Sequence, residues 1–304
     1  MDFVKDKIKI PSSEKDVHLD VWHYKPTTPE PHPLVVAGHG MTVIKDAGMS
    51  SFGEHWARLG GFASLIFDYR YFGDSDGQPR DFLSLEKQLE DYRCVIQWAR
   101  AQQDMFRVDK IVPMGSAASG HTVAKLLLED AELAGGMAHC PLLDGYTTML
   151  SQKFNARLVF WATVDYICGM LGISPVFVQA VGHVGEFAML NTPSSWSGFE
   201  FMFSQGETAF SEAPNRVPAG LLFEIMGSRA GLKLKHAHSR FLVVVPEDDD
   251  IFPVHIGQKI ASEAPEKVIL VEAPGGHFDI MSGGKGFQVN INAQIKFLQS
   301  VLLE

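Results

Sequence analysis

The sequence predicts an α/β fold, in which a mostly parallel central sheet is flanked by helices. Short continuous apolar runs, which are typical of strands buried on both faces, occur at residues 34–37, 63–67 and 241–245. The clearest amphipathic helix covers residues 85–101, where the apolar side chains share one stripe. Strands that alternate with helices in this way favour a doubly wound parallel sheet.

The remaining elements of the sheet region follow in chain order. Residues 8–10 and 17–24 predict an antiparallel start, because turn-forming Pro11, Ser12 and Ser13 lie between them. The other patterns predict helices at 51–59, 122–128, 255–264 and 289–302, and strands at 111–112 and 268–271.

The alternation stops near Asp144, where a different composition begins. Residues 151–223 contain eight charged residues and many aromatic ones. We therefore predict a core formed by residues 1–145 and 237–304, with an inserted helical lid at residues 146–236. Packing of this insertion onto the sheet is the alternative to a lid that also lines a pocket. The side chains expected to bind substrate are Phe154, Trp161, Tyr166 and Phe187.

Charge and length exclude several classes of function. The chain has 304 residues and a net charge of −10, with 36 acidic and 26 basic side chains. Such a chain is a poor candidate for binding nucleic acid or anionic membranes by charge. No apolar run is long enough to predict a membrane span, and the amino terminus does not have the pattern of a signal peptide. Three cysteines fit a reducing compartment, so we expect a cytoplasmic protein without cofactor or metal.

Residues with catalytic potential follow the predicted strands, at the edge of the sheet where open α/β folds bind ligands. Residues 38–42 (Gly-His-Gly-Met-Thr) follow the first buried strand, and residues 115–120 (Gly-Ser-Ala-Ala-Ser-Gly) follow the strand near 111–112. Further along, Asp248, Asp249 and Asp250 follow the strand at 241–245, and His277 follows the strand at 268–271. A carboxylate that orients a histidine, and a histidine that takes a proton from a nucleophile, together form a hydrolytic triad.

The loop at 115–120 has the small residues of a nucleophile elbow, a tight turn between a strand and a helix. The pattern puts the nucleophile at position 117, where this chain has Ala117. The chain order nucleophile, acid, histidine fits these loops, with His277 as the base. We prefer Asp249, four residues before Pro253, as the acid, ahead of Asp248 and Asp250. Cys140 ends a predicted strand and is expected to be a core thiol.

This arrangement resembles the α/β-hydrolase superfamily, and most of all its fungal trans-acting polyketide thiohydrolases and polyketide transferases. The likeness covers about residues 15–140 and 238–302. It is carried by His39-Gly40, Asp68-Tyr69-Arg70 with Phe72-Gly73, residues 115–120, residues 141–145 and Gly276-His277-Phe278-Asp279.

The resemblance implies an acyl-transfer chemistry. A serine at position 117 would attack a thioester or ester, and the backbone N–H groups of Met41 and Ala118 would hold the oxyanion. The acyl chain would be apolar and polyketide-like, and water, an alcohol or its own hydroxyl would release it, the last giving a lactone. The expected partner is the acyl carrier protein of a polyketide synthase, or the substrate is a small lipophilic ester; a homodimer is compatible with the apolar insertion.

Ala117 departs from the serine that the resemblance predicts. Either a serine has been replaced in a chain that keeps Asp249 and His277, or the protein naturally lacks this nucleophile. The first account predicts a serine-type thioesterase or acyltransferase that is inactive or impaired in this form. The alternatives are a general carboxylesterase or lipase-like hydrolase, and a non-catalytic ligand-binding pseudoenzyme.

Overall fold

The computed structural model describes the backbone of residues 1–303 and the side chains of residues 1–301. Eight of its strands form one sheet in the order β1-β2-β4-β3-β5-β6-β9-β10, and β7 pairs with β8 in a separate two-stranded sheet. The strands are β1 (Phe3–Pro11), β2 (His18–Pro26), β3 (His32–Gly38), β4 (Ala63–Phe67), β5 (Phe106–Ser116), β6 (Gly136–His139), β7 (Phe177–Gln179), β8 (Arg216–Pro218), β9 (Phe241–Pro246) and β10 (Val268–Ala273).

The large sheet is parallel except at one edge. Strand β2 runs antiparallel to both β1 and β4, and every pairing from β4 onward is parallel. The predicted mostly parallel sheet with an antiparallel start is therefore confirmed. The parallel arrangement brings the carboxyl ends of β3, β5, β6, β9 and β10 to the same edge.

Helices cover the faces of the sheet and form most of the inserted segment. They are α1 (Ser50–His55), α2 (Leu85–Arg100), α3 (Ser119–Glu129), α4 (Gly145–Ser151), α5 (Ala156–Met170), α6 (Ser195–Phe203), α7 (Leu221–Gly227), α8 (Val254–Glu263) and α9 (Phe287–Leu303). A π-helical turn at Trp56–Gly60 extends α1, and Gly61 ends it in the left-handed conformation. Helices α4, α5, α6 and α7 and the antiparallel β7–β8 pair lie between β6 and β9 along the chain, outside the eight-stranded sheet.

A buried ion cluster fixes the loop that follows β3. The Lys45 Nζ lies 2.8 Å from Asp20 Oδ1 and 2.5 Å from Asp68 Oδ2, and all three side chains are almost fully buried. The Lys45 backbone N–H also donates to Asp68 Oδ1 at 2.7 Å. Since buried charges are tolerated only when they are paired, this cluster holds the β3 loop against β2 and the loop after β4.

Candidate active site

The turn between β5 and α3 has the backbone of a nucleophile elbow. Ala117 has φ +50°, a left-handed conformation that non-glycine residues adopt under constraint. A Cβ at Gly115 would lie 2.4 Å from the Ser119 carbonyl oxygen, and a Cβ at Gly120 would lie 2.3 Å from the Cβ of Pro141. The chain therefore needs glycine on both sides of the apex for this turn to close.

Backbone hydrogen bonds hold the apex of the elbow against the end of β6. The Ala117 N–H donates to the His139 carbonyl at 3.1 Å. The Ala117 carbonyl accepts from the N–H groups of Gly120 at 2.9 Å and Leu142 at 3.0 Å. Position 117 thus lies beside the first residues that follow β6.

The Ser119 side chain links the elbow to two neighbouring loops. Its buried hydroxyl is 2.6 Å from the Tyr69 hydroxyl and also donates to the His39 carbonyl. Both contacts tie α3 to the loops after β3 and β4. The hydroxyl is therefore engaged in positioning the elbow.

Asp249 and His277 meet at the carboxyl edge of the sheet. The Asp249 carboxylate is 2.9 and 3.0 Å from His277 Nδ1. Its Oδ1 also accepts from the N–H groups of Ile251 and Phe252, each at 2.8 Å. Backbone groups of its own loop therefore hold the carboxylate in place. Since the carboxylate occupies Nδ1, Nε2 is the nitrogen that can accept a proton when the ring is neutral.

The neighbouring aspartates have other positions. Asp248 is exposed. Asp250 accepts from the N–H of Ser194 at 3.0 Å and from its hydroxyl at 2.5 Å, at the start of α6. Of the three candidate acids, the structure thus brings Asp249 to His277 and uses Asp250 to hold the inserted segment.

Burial and the charge of Asp249 act in opposite directions on the pKa of His277. Burial lowers the pKa of the imidazole, but Asp249 and the neighbouring Cys140 sulfur together raise the pKa well above its usual value. His139, which also lies near His277, is buried, and burial lowers its pKa to about 3. His139 is therefore neutral near pH 7 and adds no charge beside His277.

Two backbone donors are free where an oxyanion would form. Within residues 1–303, the N–H groups of Met41 and Ala118 donate to no protein acceptor, and both residues are buried and line the same cavity. Gly40 permits their approach, since a Cβ there would lie 3.2 Å from the Ala117 Cβ. These donors fit the predicted oxyanion hole.

Cys140 is the residue whose position the sequence pattern did not reveal. It is 3% exposed, as expected for a core thiol, but it also lines the same cavity as His277. It has φ +39° and directly follows His139, the residue paired with Ser116 across β5 and β6. Cys140 lies close to the elbow because β6 is the neighbour of β5 in the sheet, and this strand order cannot be predicted from local sequence patterns.

A cavity of about 870 Å³ joins these groups to the inserted segment. The core contributes Gly40, Met41, Ala117, Ala118, Cys140 and His277 to its wall. The insertion contributes residues from the α4–α5 region, from 184–193, and from α6 and α7. Most of this wall is apolar, and its charged side chains are Lys153, Asp250 and His277.

Three of the four predicted substrate-binding side chains lie away from this cavity. Phe154 lines its rim, with 83% of its surface exposed. Trp161 packs against Phe160, Tyr166 packs edge-on against Phe223, and Phe187 lies under the Arg157 guanidinium. The expectation for Trp161 and Tyr166 was wrong because α5 turns Ala156, Leu158 and Val159 toward the cavity. Phe187 lies outside α5, and its ring packs against Arg157 and does not line the cavity.

In the described part of the chain, no group of three or more His, Cys, Asp or Glu side chains is arranged to hold a metal ion. Of the helices described, none is long and apolar enough to cross a membrane.

Replacing Asp249 tests its electrostatic role without reference to catalysis. We expect Asp249→Asn to lower the pKa of His277, since the contacting carboxylate favours the charged imidazolium. Asp248→Asn, which removes the adjacent exposed charge, serves as the matched control and should change it little. Histidine ring titration by NMR measures both. An equal shift in the two variants would reject Asp249 as the orienting acid.

Comparison with known proteins gives the family. Residues 15–166 match the model described as X-Pro dipeptidyl-peptidase (S15 family). The chain is 32% identical to quorum-quenching protein AidA of Acinetobacter baumannii, over 94% of this chain and 92% of that protein. It is 24% identical to thiohydrolase aneE of Aspergillus aculeatus, over 89% of this chain and 86% of that one.

A solved structure supports the same fold. The α/β hydrolase GrgF from Penicillium sp. sh18 superposes with a TM-score of 0.76 at 18% identity, covering 99% of this chain and 100% of that one. The predicted likeness to fungal thiohydrolases and polyketide transferases is confirmed. The chain is an α/β hydrolase and belongs to the family described by the S15 X-Pro dipeptidyl-peptidase model.

Proposed function

We propose that this site performs acyl transfer: it releases an apolar, polyketide-like acyl chain from a carrier thioester to water, to an alcohol or to the chain's own hydroxyl. The observation that carries the proposal is the single cavity in which an apolar wall, the His277–Asp249 pair and two free N–H donors meet at the elbow. A carbonyl at the elbow would face donors that stabilise its developing charge, while its chain lies against apolar side chains.

The serine mechanism would use position 117 as follows. The serine hydroxyl gives its proton to His277 and attacks the carbonyl carbon, and the Met41 and Ala118 N–H groups hold the oxyanion. The leaving thiol takes the proton from His277, which leaves an acyl-serine. His277 then activates water or a hydroxyl for release. Ala117 has no hydroxyl, so this route is absent from the chain with alanine.

The volume and the apolar lining of the cavity support a long acyl chain as the substrate. From the core, Met41, Phe278 and Met281 line it, and from the insertion Leu158 and Met202 do so. Burial of apolar surface is worth about 25 cal/mol per Å², so each added methylene within this wall strengthens binding. An insertion over the acyl group also excludes water, which transfer to an alcohol or ring closure requires.

A second candidate is hydrolysis of a small free lipophilic ester, because the same apolar cavity and the His277–Asp249 pair would accept either acyl donor. The two candidates share the site and differ in the acyl donor. Comparing turnover of a carrier-bound acyl thioester with that of the matching free ester separates them. We place the carrier-dependent reaction in a reducing cytoplasm, in keeping with three free cysteines.

Restoring the hydroxyl tests the proposed function. We expect Ala117→Ser to raise hydrolysis of a decanoyl thioester of N-acetylcysteamine by at least about 100-fold, well within the roughly 10⁶-fold that such a serine contributes elsewhere. Steady-state thiol release measures it. In the same background, His277→Ala should remove the gain, whereas Asp248→Asn should preserve it. No gain in the serine variant, despite retained fold, would reject acyl transfer at position 117.

The rim of the cavity tests the substrate class. In the Ala117→Ser background, we expect Phe154→Asp to lower kcat/KM for long acyl chains about ten-fold, because a charge replaces apolar surface at the rim. Short chains that do not reach the rim should be unaffected. Tyr166→Asp, an exposed change on α5 outside the cavity, is the matched control. Equal effects of both variants, or none from Phe154→Asp, would show that the chain does not pass this rim.

A further inference from the structure

The cavity contains a second nucleophilic side chain besides position 117. Cys140 follows β6, the strand beside β5, and both Cys140 and Ala117 line the cavity with His277. The backbone bonds from Ala117 to His139 and from Leu142 to Ala117 hold the Cys140 segment alongside the elbow. The Cys140 segment therefore runs beside position 117, from which a serine would attack, and both residues line one cavity.

The backbone at this thiol has the mark of a constrained site. Among the described residues, six that are not glycine have a positive φ, and three of them are Thr42, Ala117 and Cys140. Thr42 lies in the loop after β3 that contains Met41, Ala117 lies at the elbow, and Cys140 directly follows β6. Non-glycine residues in this region cost about 1–3 kcal/mol each and cluster at functional sites.

The proton affinities of the pair suit base-assisted attack. Burial raises the pKa of the Cys140 thiol, and the His277 ring and Ala117 backbone only partly offset this rise. The thiol therefore keeps its proton at rest and needs a base to become a nucleophile. His277, whose pKa is also raised, takes that proton in its neutral form, and because Nδ1 is bonded to Asp249, Nε2 is the ring nitrogen left to receive it.

We propose that Cys140 is the nucleophile of the chain that carries Ala117, forming a Cys140–His277–Asp249 triad that acts on acyl thioesters. This inference rests on the proposed function for its substrate class. It assigns the covalent step to a neighbouring strand rather than to the elbow. Ala117 then leaves the imidazole to the thiol, because no hydroxyl at the apex competes for it.

The step balances without an oxidant or reductant. The Cys140 thiol proton moves to His277 Nε2, and the sulfur electron pair forms a bond to the thioester carbonyl carbon. The carbonyl π pair moves to oxygen, within the cavity that the free N–H groups of Met41 and Ala118 line. When the pair returns, the bond from carbon to the carrier sulfur breaks and the leaving thiolate takes the proton from His277. The products are acyl-Cys140 and a free thiol, and water or a hydroxyl then releases the acyl group by the same sequence.

Covalent labelling tests this assignment. The protein as it stands is incubated with decanoyl N-acetylcysteamine thioester, and separately with N-decyl iodoacetamide, and adducts are located by peptide mass spectrometry. We expect one acyl or alkyl group on Cys140. Cys140→Ala should reduce labelling at least about 100-fold, and His277→Ala should slow acylation about 10²- to 10⁴-fold, the range of general base catalysis. Cys94→Ser and Cys168→Ser, outside the cavity, should label as the parent does.

Further variants keep the outcome interpretable. Cys140→Ser preserves the shape of the side chain and should abolish alkylation, and retained binding of a fluorescent fatty acid shows that the cavity of each variant is intact. If Ala117→Ser with Cys140→Ala turns over the thioester while the parent gives no Cys140 adduct, the cysteine assignment is wrong and the proposed function stands. If no variant is acylated although each binds the fatty acid, the proposed function fails with it. Labelling of the parent at another residue also overturns the assignment.

Discussion

The left-handed turn at Ala117 is the constraint on which the rest of the site depends. An alanine at φ +50° is strained, and it is held there by backbone bonds to the residues on either side of Cys140 and by glycines that admit the turn. The turn points position 117 into the cavity. The backbone hydrogen bonds of Ala117 also hold the end of β6 beside the elbow. The same turn therefore positions both proposed sites of nucleophilic attack, residue 117 and Cys140.

The surrounding contacts hold this turn in register with the donors and the base. The Lys45 ion cluster fixes the loop that contains Met41, and the Ser119 hydroxyl links the elbow to the His39 carbonyl in that same loop. In the loop after β9, the consecutive residues Asp249 and Asp250 have different partners. Asp249 orients His277, and Asp250 binds Ser194 at the start of α6, which couples the position of the inserted segment to the loop of the acid.

Much of this architecture could be predicted from the sequence, because it depends on local pattern. Buried apolar runs predict the parallel strands. The loops after β9 and β10 contain Asp249 and His277, the predicted acid and base, which the structure brings together. The side chains that line the cavity could not be predicted in the same way. Aromatic composition marks an apolar insertion, but it does not say which face of α5 turns inward, so Trp161 and Tyr166 were misplaced. The sequence predicts Cys140 only as a core thiol, because its neighbours depend on the order of strands β5, β6 and β9, which local pattern does not reveal.

The claim that the cavity is an acyl site centred on the elbow is tested most directly by a crystal structure of this chain with a ketone analogue of a decanoyl thioester, in which a methylene replaces the sulfur. The account predicts the analogue's carbonyl oxygen at about 2.7–3.1 Å from the N–H groups of Met41 and Ala118, with its chain between the core and the α4–α5 region. A carbonyl oxygen bound away from both donors, or a chain outside the cavity, would contradict it.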